Sequence, residues 1–340
     1  MNTLLLTVFM LLLLIAGILV FVYASPTLSK EALAAIKNIR EKPLPELVKG
    51  KTGYAQSGDI KIWYEVINPI AQPRGTILLV MGHGTSAVRW PPYFYQPMID
   101  AGYQIIRYDN RGLGKSDWIA HWTKKNAYTL VDMAADGLAV LDTLGIQQVH
   151  LLGVSMGGMI AQQMAIDYAS RIISLTSIMS SGHMYDPELP FVPRKTFLAA
   201  AKLDIRYRLQ PNEESFLKYA VNATHVLKGK DPAPVNLSFS IISNLYLWRK
   251  HGGYNAKVGQ QHTHAIKAGG SRYAGLKKLQ IPTLVIHGTA DPLVPVAHSK
   301  KYGPMIPNAQ VEIIDKMGHR LSEYYMPQIL SFILQHFGKG

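Results

Sequence analysis

Cysteine is absent from all 340 residues, which excludes disulfide frameworks, thiol nucleophiles and thiolate-bound zinc or iron–sulfur sites together. Charge is sparse, with 17% charged residues against 48% apolar ones, so the chain has material for a large core and is not a disordered polymer. Acidic residues are the scarcer sign, 22 Asp and Glu against 35 Lys and Arg, and the formal net charge is +13. Such a balance favours anionic surfaces, either nucleic acid or an acidic membrane leaflet. No zinc-ligand spacing, basic recognition helix or aromatic RNA-binding motif accompanies it, so nucleic acid is not expected as a partner. His262-Thr-His264 pairs two potential metal ligands on a strand, but it lacks nearby carboxylates, and no metal is expected there. Internal repeats and low-complexity tracts are also missing.

Long hydrophobic runs are few, and the longest lies at the N-terminus. Leu4 to Tyr23 holds no charged residue. Twenty helical residues at 1.5 Å each span roughly 30 Å, the thickness of a bilayer's hydrocarbon. Residues 1–24 therefore read as an uncleaved single-pass transmembrane anchor. Lys30, Lys37, Arg40 and Lys42 follow it and no Lys or Arg precedes it, which would keep the body cytoplasmic. The alternative is a signal cleaved at Val22-Tyr23-Ala24, releasing the body to the periplasm or exterior. Residues 25–50, polar and basic with Pro26, Pro43 and Pro45, read as a linker.

Beyond residue 50, apolar runs alternate with helical patterns. The strand-like segments are 60–67, 76–81, 103–108, 149–154, 172–179, 283–287 and 311–314, with helices near 130–144 and 156–169. Continuous apolar strands separated by helices indicate an α/β fold, with a mainly parallel sheet covered on both faces. From 182 to 275 there is no clear strand and aromatic residues recur, among them Phe191, Phe216 and Trp248. Ninety residues are too many for a loop, so this stretch reads as a mainly helical insertion after the sixth strand. The core is then 51–181 together with 276–340.

Gly153-Val-Ser155-Met-Gly157 follows one strand directly and opens a helix. A Gly-x-Ser-x-Gly match is expected on the order of 0.1 times in such a chain, and its strand–helix setting sharpens it further. A sharp strand-to-helix turn projects the serine hydroxyl from the sheet's C-terminal edge, and the helix N-terminus offers N–H groups to an oxyanion. A serine hydroxyl needs a base to become nucleophilic. Asp291 lies just past the strand ending at His287, and His319 lies past the strand at 311–314. The chain order Ser155, Asp291, His319 puts nucleophile, acid and base after separate strands on one sheet edge. Asp186, after the 172–179 strand, is the alternative acid, while Asp315 stands too close to His319 to orient it. Met156 and His83 are the expected backbone donors of the oxyanion hole, with Gly84 as the runner-up.

Together these residues resemble the α/β-hydrolase superfamily over roughly residues 50–338. Asp109-Asn-Arg111-Gly112-Leu-Gly114-Lys-Ser116 looks like that family's D-x-R-G-x-G-x-S turn, which is architectural there. The usual His-Gly after the third strand is Met81-Gly82 here, a departure that resembles esterase and methylesterase-like members. The resemblance implies that residues 182–275 form a cap over the pocket. It also implies hydrolysis of a carboxylic ester or related acyl bond without a cofactor. Relatives with aspartate at the nucleophile position hydrolyse epoxides or haloalkanes, and Ser155 argues against both. The aromatic, Met-bearing insertion suggests a small-molecule ester with an apolar group as substrate. Perhydrolysis or acyl transfer on the same acyl-enzyme, and a non-catalytic membrane-tethered binding protein, are the alternatives.

Overall fold

The structure is a computed structural model that describes residues 3–23, 28–207 and 212–338. Two helices precede the sheet, α1 (Thr3–Tyr23) and α2 (Lys30–Arg40). The stretch read as a linker thus contains α2, capped by the Ser29 hydroxyl accepting from the Ala32 N–H. Its short apolar stripe, Ala32 and Ile36, is buried against Leu217, Val221, Ile241 and Leu245.

Eight strands form one sheet: β1 (Lys51–Ser57), β2 (Ile60–Ile67), β3 (Gly75–Val80), β4 (Tyr103–Tyr108), β5 (Val149–Val154), β6 (Ile172–Ile178), β7 (Thr283–Gly288) and β8 (Gln310–Ile314). Their order is β1-β2-β4-β3-β5-β6-β7-β8. The β1–β2 and β2–β4 pairs are antiparallel and every other pair is parallel. Helices α3 (Pro92–Asp100), α4 (Leu130–Thr143), α5 (Met156–Asp167) and α12 (Met326–Phe337) cover the two faces. The side-chain period of two divides the strands between them. Leu78 and Leu151 join one core cluster with α4 and α5, whereas Leu79 and Leu152 join the other with α3 and α12. Both faces are therefore apolar, which explains why the inner strands read as unbroken hydrophobic runs.

Between β6 and β7 the chain forms α6 (Arg194–Tyr207), α7 (Glu213–Lys228), α8 (Leu237–Lys250), α9 (Val258–Ala268) and the short α10 (Tyr273–Leu276). A helix α11 (Ala297–Tyr302) follows β7. Buried ionic contacts tie these parts to the sheet. Asp109 accepts from the Ser86 hydroxyl and the Ala87 N–H, and His251 at the end of α8 lies 2.7 Å from its other oxygen. The Arg107 Nε–H donates to Glu65 at 2.7 Å across β4 and β2, and a second guanidinium nitrogen donates to the Leu47 carbonyl. Arg111 clasps Asp136 through two nitrogens. The Asp109–Ser116 turn is thus a knot between core and insertion.

The expected membrane anchor is overturned: among the described residues no helix is long and apolar enough to cross a membrane. Helix α1 meets α6. The single-pass membrane assignment and the cytoplasmic placement of the body rested on that span and are withdrawn with it. The alternative cleavage site ends at Ala24, outside the described residues.

Candidate active site

Ser155 sits between β5 and α5 with φ 57° and ψ −122°, a left-handed backbone that a serine adopts only where its surroundings enforce it. The turn is tight enough to demand glycine on both sides. A Cβ on Gly153 would meet the Gly157 carbonyl oxygen at 2.1 Å, and one on Gly157 would meet the Val80 carbonyl oxygen at 2.0 Å. The Ser155 N–H donates to Ile178, and its carbonyl accepts from the Ser180 hydroxyl at 2.8 Å. These bonds hold the strained residue with its side chain at the C-terminal edge of the sheet.

His319 reaches that edge from the loop after β8. Its Nε2 lies 2.9 Å from Ser155 Oγ and its Nδ1 lies 2.6 Å from Asp291 Oδ2. With Nδ1 protonated and donating to the carboxylate, Nε2 is left to accept from the serine hydroxyl. The His319 N–H donates to the Leu227 carbonyl on α7, so the insertion helps to set the imidazole loop. Asp291 is fixed by the N–H groups of Leu293 and Val294, which donate to its Oδ1 at 2.8 Å each. A second imidazole, His287, places Nε2 at 3.2 Å from Asp291 Oδ2 and at 2.8 Å from the Val294 carbonyl. Burial alone would raise the Asp291 carboxyl. The neighbouring His319 and the hydrogen bonds from His287 and His319 outweigh it and hold the group below the ordinary carboxylate range. His287 escaped notice in the sequence because it closes an apolar strand; the i, i+4 spacing to Asp291 was its only signal.

Asp186 stands elsewhere. Its Oδ2 accepts from the Tyr273 hydroxyl and from Lys301 Nζ, each at 2.6 Å, and its Oδ1 accepts from the Glu188 N–H. Asp315 accepts from the Thr289 hydroxyl at 3.0 Å on the surface. The structure brings neither to the imidazole.

The segment Met81–Thr85 passes beside the serine, where a Cβ on Gly82 would lie 3.2 Å from Ser155 Cβ. Met156 and His83 both line the cavity that Ser155 opens into. The Gly84 N–H is already engaged, donating to His262 Nδ1 at 3.1 Å. The His83 imidazole turns to α9, within 2.8 Å of the Gly259 carbonyl and 3.0 Å of the Thr263 hydroxyl. His262 and His264 lie on α9 rather than on a strand, two residues apart, where a helix does not present neighbours to one ion. Burial, then the nearby His83, push His262 down to about 3, so it stays neutral between Gly84 and the Arg111 carbonyl.

The cavity measures about 570 Å³ and lies between the sheet edge and the inserted helices. Met156, Met159, Met179, Phe191, Leu203 and Val258 supply apolar wall, while Arg89, Asn236, Ser240 and Asn244 supply polar wall. A site of that size and lining takes a small organic molecule with an apolar body and a few oriented polar groups.

Comparison with known proteins agrees with this architecture. A family model described as the alpha/beta hydrolase fold matches residues 75–323. The rhodomycin D methylesterase DnrP of Streptomyces peucetius is 29% identical over 279 residues, covering 77% of this chain and 90% of the relative. The 3-oxoadipate enol-lactonase 1 of Acinetobacter baylyi is 27% identical over 260 residues, covering 76% and 86%. A solved bromoperoxidase from Bacillus anthracis superposes with a TM-score of 0.65 at 25% identity, covering 85% of this chain and all of that one.

Proposed function

The chain belongs to the α/β-hydrolase fold family and is a hydrolase, and on that premise we propose that it cleaves carboxylic esters through an acyl-enzyme on Ser155. The observation that carries the reading is one chain of contacts opening into one cavity: Ser155 Oγ to His319 Nε2 at 2.9 Å, and His319 Nδ1 to Asp291 at 2.6 Å. Ser155 Oγ attacks the ester carbonyl while His319 Nε2 takes its proton. Asp291 holds the imidazole by Nδ1–H and stabilises the imidazolium that forms. The carbonyl oxygen becomes an oxyanion, accepting from the backbone N–H groups of Met156 and His83; a single such donor contributes about 10²–10³ in rate. Collapse of the tetrahedral intermediate breaks the bond to the alcohol, which leaves with the proton from His319. Water then attacks the acyl-enzyme while His319 takes its proton, and His319 passes that proton to Ser155 Oγ as the intermediate collapses and the acid is released. The inserted helices act as a cap, and the methionine- and phenylalanine-lined wall favours an apolar acyl or alcohol group.

Peroxide in place of water would give perhydrolysis from the same acyl-enzyme, and the similarity to the solved bromoperoxidase supports testing it in competition. A fluorophosphonate probe tests the nucleophile. Labelling at Ser155, with Ser155→Ala abolishing both labelling and ester turnover, is the expected result. Full turnover by Ser155→Ala on an ester panel would refute the reading.

A further inference from the structure

Arg89 closes a single 3₁₀ turn, Ala87–Arg89, on the same loop that passes Ser155. Its neighbours Ala87, Val88 and Trp90 are buried and fix the turn. The side chain leaves this apolar frame and enters the wall of the cavity that holds Ser155. Its guanidinium makes no hydrogen bond and no ion pair among the described residues, and its Nε is shut off from solvent with no acceptor. Burial pushes it down to about 10, with the Tyr219 phenol on α7 opposing, and it stays charged at neutral pH.

The other arginines packed into the interior have acceptors. Arg107 has Glu65, Arg111 has Asp136 and Arg320 has Asp231. Arg272 lacks a carboxylate and leaves Nη1 without a partner, but Gln162 and the Ser181 carbonyl accept from its other two nitrogens. Arg89 is half-buried, but its Nε is shut off from solvent, and a desolvated donor left without an acceptor is costly to keep. Desolvated donors with no acceptor in the protein are matched to an acceptor that arrives with a ligand. Around the same cavity, Asn236, the N-cap of α8, and Ser240 and Asn244 within the helix follow one another at steps of four, presenting a polar stripe. Asp204 on α6 also reaches the wall and forms no ion pair with Arg89.

We propose that Arg89 is the anion-recognising residue of this cavity. The ester carries a carboxylate or phosphate group that seats on the guanidinium, and its apolar part lies against the methionine-lined wall. This deepens the ester-hydrolase reading and rests on it. The polar stripe of α8 is placed to hydrogen-bond hydroxyl or carbonyl groups between the anion and the scissile bond. Arginine suits this role because its planar fork matches two oxygens of either anion, and a lysine would offer only a point charge.

Two matched pairs test it and separate the two anions. In the carboxylate arm, 4-nitrophenyl octanoate is compared with the mono-4-nitrophenyl ester of octanedioic acid. In the phosphate arm, 1-octanoylglycerol is compared with 1-octanoylglycerol 3-phosphate. The readout is the ratio of kcat/KM for the charged ester to that for its neutral twin. The unaltered enzyme is expected to favour the charged member in one arm, which identifies the anion. In Arg89→Met that ratio is expected to fall about 10- to 100-fold, the worth of a hydrogen-bonded charge, with Arg89→Lys between. An unchanged ratio in Arg89→Met, or no charge preference in either arm, overturns the proposal. If Arg89→Met does not fold, octyl phosphate and octanoate are compared with octanol as inhibitors of the unaltered enzyme. Tighter inhibition by one of the anions, weakening with salt, supports the proposal, and equal inhibition by all three overturns it. Loss of all turnover in Ser155→Ala reports on the nucleophile alone, so the two readings fail separately.

Discussion

Asp291 follows β7 and meets two imidazoles, whereas Asp186 follows β6 and meets an ammonium and a phenol. Both carboxyls are buried and both are held below the ordinary carboxylate range. For Asp186 burial again opposes, and hydrogen bonds from Lys301 and Tyr273 prevail. A shifted carboxylate at a sheet edge is therefore not by itself a sign of chemistry; the partner decides. A lysine stays charged through any working pH, so Asp186 ties α10 and α11 together as a clasp. An imidazole trades a proton, so in the proposed mechanism Asp291 responds to what happens at Ser155. The sharpest way to break this comparison is Asp291→Asn. An amide can donate to Nδ1 and so favours the tautomer with Nε2 protonated, which cannot accept from serine. The expected loss in kcat is about 10³–10⁴, read from initial rates on one neutral ester. A loss below tenfold would erase the distinction between the two aspartates.

Asp186→Asn is the counterpart, and its effect is expected in stability instead of rate. The amide keeps an oxygen for the Tyr273 hydroxyl but gives up the charge facing Lys301. Losing a charged hydrogen bond costs about 1–3 kcal/mol, or roughly 2–8 °C in Tm for a domain of this size. The rate on the same ester is expected to stay within about threefold, since nothing in the clasp touches Ser155 or His319. Calorimetry and initial rates on one preparation read both quantities. A hundredfold rate loss with an intact melting transition would move the acid's role to Asp186.

What was legible in the sequence follows the same logic of partners. Strands β2, β4 and β5 begin and end where the apolar runs do, because both faces of the sheet are covered. Strand β1 was not legible: Lys51–Ser57 lies at the sheet edge, mostly exposed, and its polar residues look like the segment before it. Helix α2 hid for a related reason, since only Ala32 and Ile36 of its eleven residues are buried. The apolar N-terminal run misled in the other direction, because an uncharged stretch of sequence reads as a spanning helix, and among the described residues no helix is long and apolar enough to cross a membrane. That Ser155, Asp291 and His319 come into contact was legible, since each follows a separate strand and the order of strands is carried by the chain. The partners of Asp186 were not nameable, for Tyr273 and Lys301 lie 87 and 115 residues away and nothing local marks them. Arg89 was equally hidden, as an arginine in a loop looks like any surface cation until its place in the cavity wall is seen.

Acidification gives the finest test of the clasp. An unfolded aspartate titrates near ~3.9, and folded Asp186 titrates lower. A group whose folded pKa is depressed adds stability that is fully present above the unfolded value and is lost as pH falls through the folded one. The Tm deficit of Asp186→Asn is therefore expected in full at pH 6 to 7, and to shrink as the pH drops below about 4. Melting curves of both proteins from pH 7 to pH 3 would show it. A deficit that stays constant with pH would mean that the carboxylate's charge contributes nothing, and that the substitution is felt through packing alone. The clasp would then differ from the Asp291 site in shape but not in electrostatics.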